Sequence, residues 1–106
     1  MSKNQLTMEE LFSLLQDKIS KQEKGSYTVA LTKGGVEKIS RKIGEEAVEV
    51  VIAAFLNNQK RNQKTHDDLV GEICDLFYHS LVLMASQNIE MEEILQELTK
   101  RNKRKK

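Results

Sequence analysis

Apolar residues recur at helical spacing along most of the chain. Met8, Leu11, Phe12, Leu15 and Ile19 form one stripe at i, i+3, i+4, i+7 and i+11, and Thr7-Met-Glu-Glu10 ahead of them fits a capping box. A first helix is therefore expected over about residues 7–22. Lys24-Gly-Ser-Tyr-Thr28 breaks the period, and three of the five glycines fall in residues 25–35. This segment reads as a loop around a short turn containing Val29, Ala30 and Leu31. Helical spacing resumes at Val36 and predicts a second helix over about 36–57. Residues 57–65 are polar without an apolar anchor, which predicts an exposed linker. A third helix starts near His66 or Asp67, with Thr65 as its cap, and continues to about Ser86. Met91, Ile94, Leu95 and Leu98 make a last amphipathic helix of about 89–101. With no proline anywhere, the fold class is all-α, a bundle of four to five helices.

The two central helices depart from a simple amphipathic pattern. Around the second run Ile43, Ala47, Val48, Val50, Val51, Ile52, Ala54 and Phe55, and a helix apolar nearly all round is usually buried. Glu45, Glu46 and Glu49 nevertheless share one face within about 100°. The third helix repeats the arrangement, since Asp68, Glu72, Asp75 and His79 are spaced 4, 3 and 4 and project within about 60° of one another. Buried carboxylates need partners, because desolvating an isolated one costs several kcal/mol, roughly, and raises its pKa. A cation is expected against the stripes. If the two helices pack side by side, four or five carboxylates converge and offer only oxygen, the preference of Mg²⁺ or Mn²⁺ over zinc.

The length of 106 residues suits one domain spanning 1–106, but is short for an enclosed substrate site, which a second subunit would help to complete. Cys74 is the only cysteine and is expected as a plain buried thiol. No apolar run follows the start, no membrane span is evident, and a cytoplasmic protein is expected. The net charge of +1 hides an asymmetry, because six of the last seven residues are basic. That tail, about 100–106, reads as a solvated helix end, since no aromatic residue is interleaved to stack on nucleic-acid bases.

Lys38 and Lys42, at i and i+4, stand on the approach to the first acidic stripe and are placed to meet phosphates. Gly34-Gly35 beside them is not a Walker A loop, whose spacing is absent. Gly44 in mid-helix suggests a close approach by another group. His79 lies on the acidic stripe after Tyr78 and is a candidate to orient a ligand or touch substrate, whereas His66 carries no signal.

Glu45-Glu46-x-x-Glu49, 22 intervening residues and Glu72-x-x-Asp75 resemble the magnesium-binding signature of the all-α nucleoside triphosphate pyrophosphohydrolases, which include MazG proteins and dimeric dUTPases. Ser26-Tyr27-Thr28-x-x-Leu31, Gly35-x-x-Lys38-Ile39-x-x-Lys42-x-Gly44-Glu45-Glu46 and Glu72-x-x-Asp75-Leu76-x-Tyr78-His79-x-x-Val82-Leu83 narrow the resemblance to the phosphoribosyl-ATP pyrophosphatase family of histidine biosynthesis. The resemblance implies a MazG-like homodimer and hydrolysis of phosphoribosyl-ATP to phosphoribosyl-AMP and pyrophosphate. It implies Glu46, Glu49, Glu72 and Asp75 as Mg²⁺ ligands, with Mn²⁺ as an alternative, and Glu45 as a further ligand or general base beside Glu49. It places the substrate on Ser26, Tyr27, Thr28, Lys38, Lys42 and His79. The rivals are a house-cleaning pyrophosphohydrolase for another nucleoside triphosphate and a non-catalytic helical dimer whose carboxylates pair with lysines and arginines.

Overall fold

The computed structural model describes residues 4–104. It contains α1 (Met8–Lys21), α2 (Tyr27–Lys33), α3 (Gly35–Gln59), α4 (Gln63–Ser86) and α5 (Met91–Arg104). The all-α expectation therefore holds. The first helix begins on the expected capping box, in which the Thr7 hydroxyl accepts from the Glu10 N–H at 3.0 Å and the Glu10 carboxylate accepts from the Thr7 N–H at 2.8 Å. Two elements differ from the expectations. Residues 27–33 form a true helix rather than a loop around a turn, because Ser26 caps it through the Val29 N–H and Val29 and Leu31 are buried. The polar linker shrinks to residues 60–62, because Asn62, not Thr65, caps α4. Thr65 instead closes the capping box from inside the helix and donates to Asn57 Oδ1 at 2.9 Å, tying the end of α3 to the start of α4.

That short connection makes α3 and α4 an antiparallel hairpin, the most extensive helix pair in the molecule. The core lies toward its open end. Phe12 and Leu15 from α1, Leu31 from α2, Ile39 from α3 and Leu81 and Val82 from α4 form one buried cluster. Its position fastens α1 and α2 over the open end of the hairpin. Gly35, at φ +82°, adopts a backbone conformation that side-chain-bearing residues rarely take, and it turns the chain from α2 directly into α3. Gly34 next to it underlies the stem of Lys38, where a methyl group would collide with the lysine side chain.

The outer half of the hairpin contradicts the expected burial. Val48, Val51, Ile52, Phe55 and Leu56 on α3 and Val70 and Phe77 on α4 are exposed, Phe55 by 67%. Their i, i+3, i+4, i+7 spacing makes a continuous apolar face that nothing within one chain covers. Cys74 belongs to that face, one turn from Val70 and Phe77, so it is exposed rather than a buried thiol. Gly44 is equally open, and the close approach expected there is absent. A radius of gyration of 15.9 Å, against about 13 Å for a compact domain of this length, reflects the uncovered hairpin. By length and composition alone α4 is also long and apolar enough to cross a membrane, its most apolar stretch having a mean hydropathy of 1.3 with 17% of that stretch buried, contrary to the expectation that no stretch has that length. The reason is its seam of aliphatic and aromatic residues. Glu72, Asp75 and His79 interrupt the seam on the side that faces α3. α5 has no buried residue, and its helix continues to Arg104, beyond the expected end; Lys105 and Lys106 of the basic tail lie outside the described residues.

Candidate metal centre

The carboxylates of the two stripes meet between α3 and α4. Glu46, Glu72 and Asp75 each bring one oxygen to within 4.8 Å of the others, a spacing that can hold a single cation. Helix arithmetic explains the arrangement: Glu72 and Asp75 are neighbours on one face of α4, and antiparallel packing brings Glu46 of α3 against them. Glu46 is 6% exposed, Glu72 half-buried and Asp75 exposed, so the cluster opens on one side to solvent. Beside it, a cleft of about 280 Å³ runs between the helices, lined by Glu49, Ala53, Asp68 and Glu72 among others.

The electrostatics are those of a site short of positive charge. Burial raises the Glu46 pKa, and a hydrogen bond with Glu49, repulsion from Glu49 and repulsion from Asp75 add to the rise; Lys42 opposes it. Glu72 is raised by desolvation and then by Glu49, Asp75 and Asp68. The expected cationic partner is thus weak. Lys42 reaches Glu45 at 3.7 Å, and Lys64 is taken by Asp68 at 2.8 Å, which raises the lysine pKa. The donor set fits a hard divalent cation: three carboxylates supply oxygen, and neither sulfur nor an uncommitted imidazole nitrogen joins them.

His79 stands behind the acids. Its Nδ1 lies 2.8 Å from the Asp75 carbonyl oxygen and 3.8 Å from Glu46 Oε1, and its Nε2 lies 2.8 Å from the Tyr27 hydroxyl. Tyr78 packs edge-on to His79 and hydrogen-bonds through its hydroxyl to Thr28 Oγ1. α2 is thereby tied to α4 at two successive residues, Tyr27 to His79 and Thr28 to Tyr78.

Each residue singled out from the sequence has a definite place. Glu46, Glu72 and Asp75 converge, and Glu49 stands one turn along α3, bonded to Glu46. Glu45 is exposed and paired with Lys42, outside the three-oxygen cluster. His79 stands behind the cluster on the Asp75 carbonyl oxygen and holds the Tyr27 hydroxyl, whereas Ser26 caps α2 and Thr28 is buried with its hydroxyl committed to Tyr78. Lys38 lies over Gly34. Asp68, the first acid of the α4 stripe, lines the cleft one turn before Glu72 and pairs with Lys64. One contact is not legible in the sequence. The hydroxyl contact of Tyr78 spans 50 residues of sequence and has no local signature.

Fold and site together define an all-α protein whose central hairpin carries an acidic cluster able to hold a metal ion. Comparison with known proteins narrows that class. The profile of the family described as "Phosphoribosyl-ATP pyrophosphohydrolase" matches residues 8–102. The chain is 40% identical over 104 residues to a phosphoribosyl-ATP pyrophosphatase of Clostridium acetobutylicum, covering 98% of this chain and 87% of that one. It is 40% identical over 96 residues to the phosphoribosyl-ATP pyrophosphatase of Sulfurisphaera tokodaii, covering 91% and 95% respectively. The chain belongs to the phosphoribosyl-ATP pyrophosphohydrolase family.

Proposed function

We propose that this protein hydrolyses phosphoribosyl-ATP to phosphoribosyl-AMP and pyrophosphate in histidine biosynthesis, and that it uses Mg²⁺ or Mn²⁺ to do so. The observation that carries the reading is the convergence of Glu46, Glu72 and Asp75 in a chain of this family. These three residues, with Glu49 alongside, would hold the cation, which when bound offsets triphosphate charge and acts as a Lewis acid. Glu49 is exposed and outside the three-oxygen cluster, so its carboxylate is placed to accept the proton of the attacking water; Glu45 is the second candidate. Lys42, on the solvent edge of the stripe, meets phosphate oxygens. His79 and Tyr27 hold α2 against the metal face and set the distance between the acids and the rest of the substrate. Water attack at one phosphorus of the α–β anhydride forms a new P–O bond as the bond to the bridging oxygen breaks; the bridging oxygen leaves with that electron pair, and the glutamate takes the water proton.

The working unit is a homodimer in the cytoplasm. The exposed apolar face from Val48 to Leu56, continued by Val70 and Phe77, supports it, since so large an uncovered patch marks an association surface. The test is pyrophosphate release from phosphoribosyl-ATP, ATP and dUTP with Mg²⁺ and with excess chelator. The expected result is turnover of phosphoribosyl-ATP alone, abolished by chelator. Comparable rates on ATP or dUTP would point to a house-cleaning pyrophosphohydrolase, and no turnover of any triphosphate would leave a helical scaffold.

A further inference from the structure

A second cleft, which shares none of the clustered acids and includes Tyr27 in its lining, opens elsewhere on the surface. It measures about 450 Å³, within the roughly 300–1,000 Å³ typical of small-molecule sites, and lies where the end of α1 turns into α2. Lys24 and Lys33 line it from the two ends of α2, with Ser26, Tyr27 and Ala30 between them and Glu23 also on its wall. Ala30 is small and exposed, so the middle of the cleft stays open. Among the described residues neither lysine makes an ion pair, in contrast to Lys42 and Lys64, which are paired with carboxylates. Two uncommitted ammonium groups on one cavity suit a doubly charged anion.

Tyr27 connects this cleft to the acidic cluster, since it lines the cleft and its hydroxyl meets His79, which in turn meets the Asp75 carbonyl oxygen. Tyr27 is 51% exposed, yet its orientation is held by that hydroxyl contact and by the neighbouring Tyr78 and His79 rings, at centroid distances of 6.4 Å and 5.8 Å. A molecule with an anion at each end can lay its triphosphate on the acid side and its other end on the lysine side. We propose that the cleft bounded by Lys24, Ser26, Tyr27 and Lys33 is the subsite for a ribose 5-phosphate group. This rests on the reading of the chain as a phosphoribosyl-ATP hydrolase and assigns the part of the substrate that ATP lacks to its own residues. Lys38 lies over Gly34, and Lys42, beside Glu45, serves the triphosphate end of the substrate.

The test uses free ribose 5-phosphate, titrated into the full chain while tyrosine fluorescence and amide NMR shifts are followed. The two tyrosines are its main intrinsic fluorophores, since it has no tryptophan. The expected result is saturable binding with shifts at residues 24–33, weakened at least about tenfold in the double variant Lys24→Ala/Lys33→Ala and retained in Lys24→Arg/Lys33→Arg. The KM for phosphoribosyl-ATP should rise by a similar factor in the alanine variant, while competitive inhibition by pyrophosphate stays as in the wild type. Absence of ribose 5-phosphate binding, equal binding by the alanine variant, or equally tight binding of inorganic phosphate at the same residues would overturn the assignment. Failure of the wild type to hydrolyse phosphoribosyl-ATP would refute the proposed reaction instead, and the titration would still decide whether the cleft takes ribose 5-phosphate.

Discussion

Glu46 concentrates the chemistry of this protein in one side chain. It is the most buried of the clustered acids, its pKa is raised by burial and by Glu49 and Asp75, and the imidazole of His79 is its nearest nitrogen partner on α4. The sign of the stability effect follows from the direction of the shift. A carboxyl whose pKa is raised on folding binds its proton more tightly in the native state, so its stabilising contribution is present below the ordinary value of 4.5 and is lost as pH rises through the raised pKa. Metal-free protein should therefore melt at a higher temperature at pH 5 than at pH 8, and saturating Mg²⁺ should recover stability at pH 8 through binding linkage. Glu46→Gln should flatten the dependence, lose at least about 10–100-fold in cation affinity and abolish turnover. Calorimetric melting at several pH values, with and without the cation, checks all three. A variant that melts far lower than wild type under every condition would mark Glu46 as a structural partner of His79.

At the scale of elements, α2 depends on tertiary contacts. Seven residues are too few to hold a helix in isolation, so its persistence rests on the Ser26 cap, the buried Val29 and Leu31, and the Tyr27–His79 and Thr28–Tyr78 bonds. Thr28→Val keeps the shape of the side chain and removes the hydroxyl. It should cost about 1–2 kcal/mol in urea unfolding, because the half-buried Tyr78 hydroxyl loses its protein partner. The same change should loosen α2 and raise KM more than it lowers kcat, since Tyr27 is its next residue. An unchanged urea midpoint would show that apolar packing alone seats the helix. In the sequence the segment reads as a loop because its glycines and short length hide a helical period, and the contacts that stabilise it come from residues some 50 positions away. The four longer helices are legible because about four turns of pattern or more repeat in each.

For the whole molecule, the apolar face of the α3/α4 hairpin is the surface that bears on assembly. Its sequence pattern, apolar nearly all round, predicts burial, yet Phe55 remains 67% exposed in the single chain. The proposed homodimer would cover it. Phe55→Lys should weaken self-association by at least 2 kcal/mol, roughly thirtyfold, if the ring is a central contact. Light scattering after size exclusion should give twice the mass of one chain for the wild type and the monomer mass for the variant across micromolar concentrations. A wild type that is monomeric at all concentrations would refute the dimer and leave the face for a different partner.

The sequence by itself determined the four long helices and the faces on which the carboxylates lie, because 3.6-residue periodicity is a local property of each segment, and the oxygen-only donor set of residues 45–49 and 68–75 is read from the side chains themselves. Only the tertiary structure decided which of those acids converge within reach of a single ion. The turn at residues 60–62 sets the register of α4 against α3, bringing Glu46, Glu72 and Asp75 together and leaving Glu45 with Lys42. It also decided that Tyr27 and His79 meet, that Thr28 is spent on Tyr78 and that the apolar face lies open. Each of these depends on contacts between residues distant in sequence, which no spacing along the chain encodes.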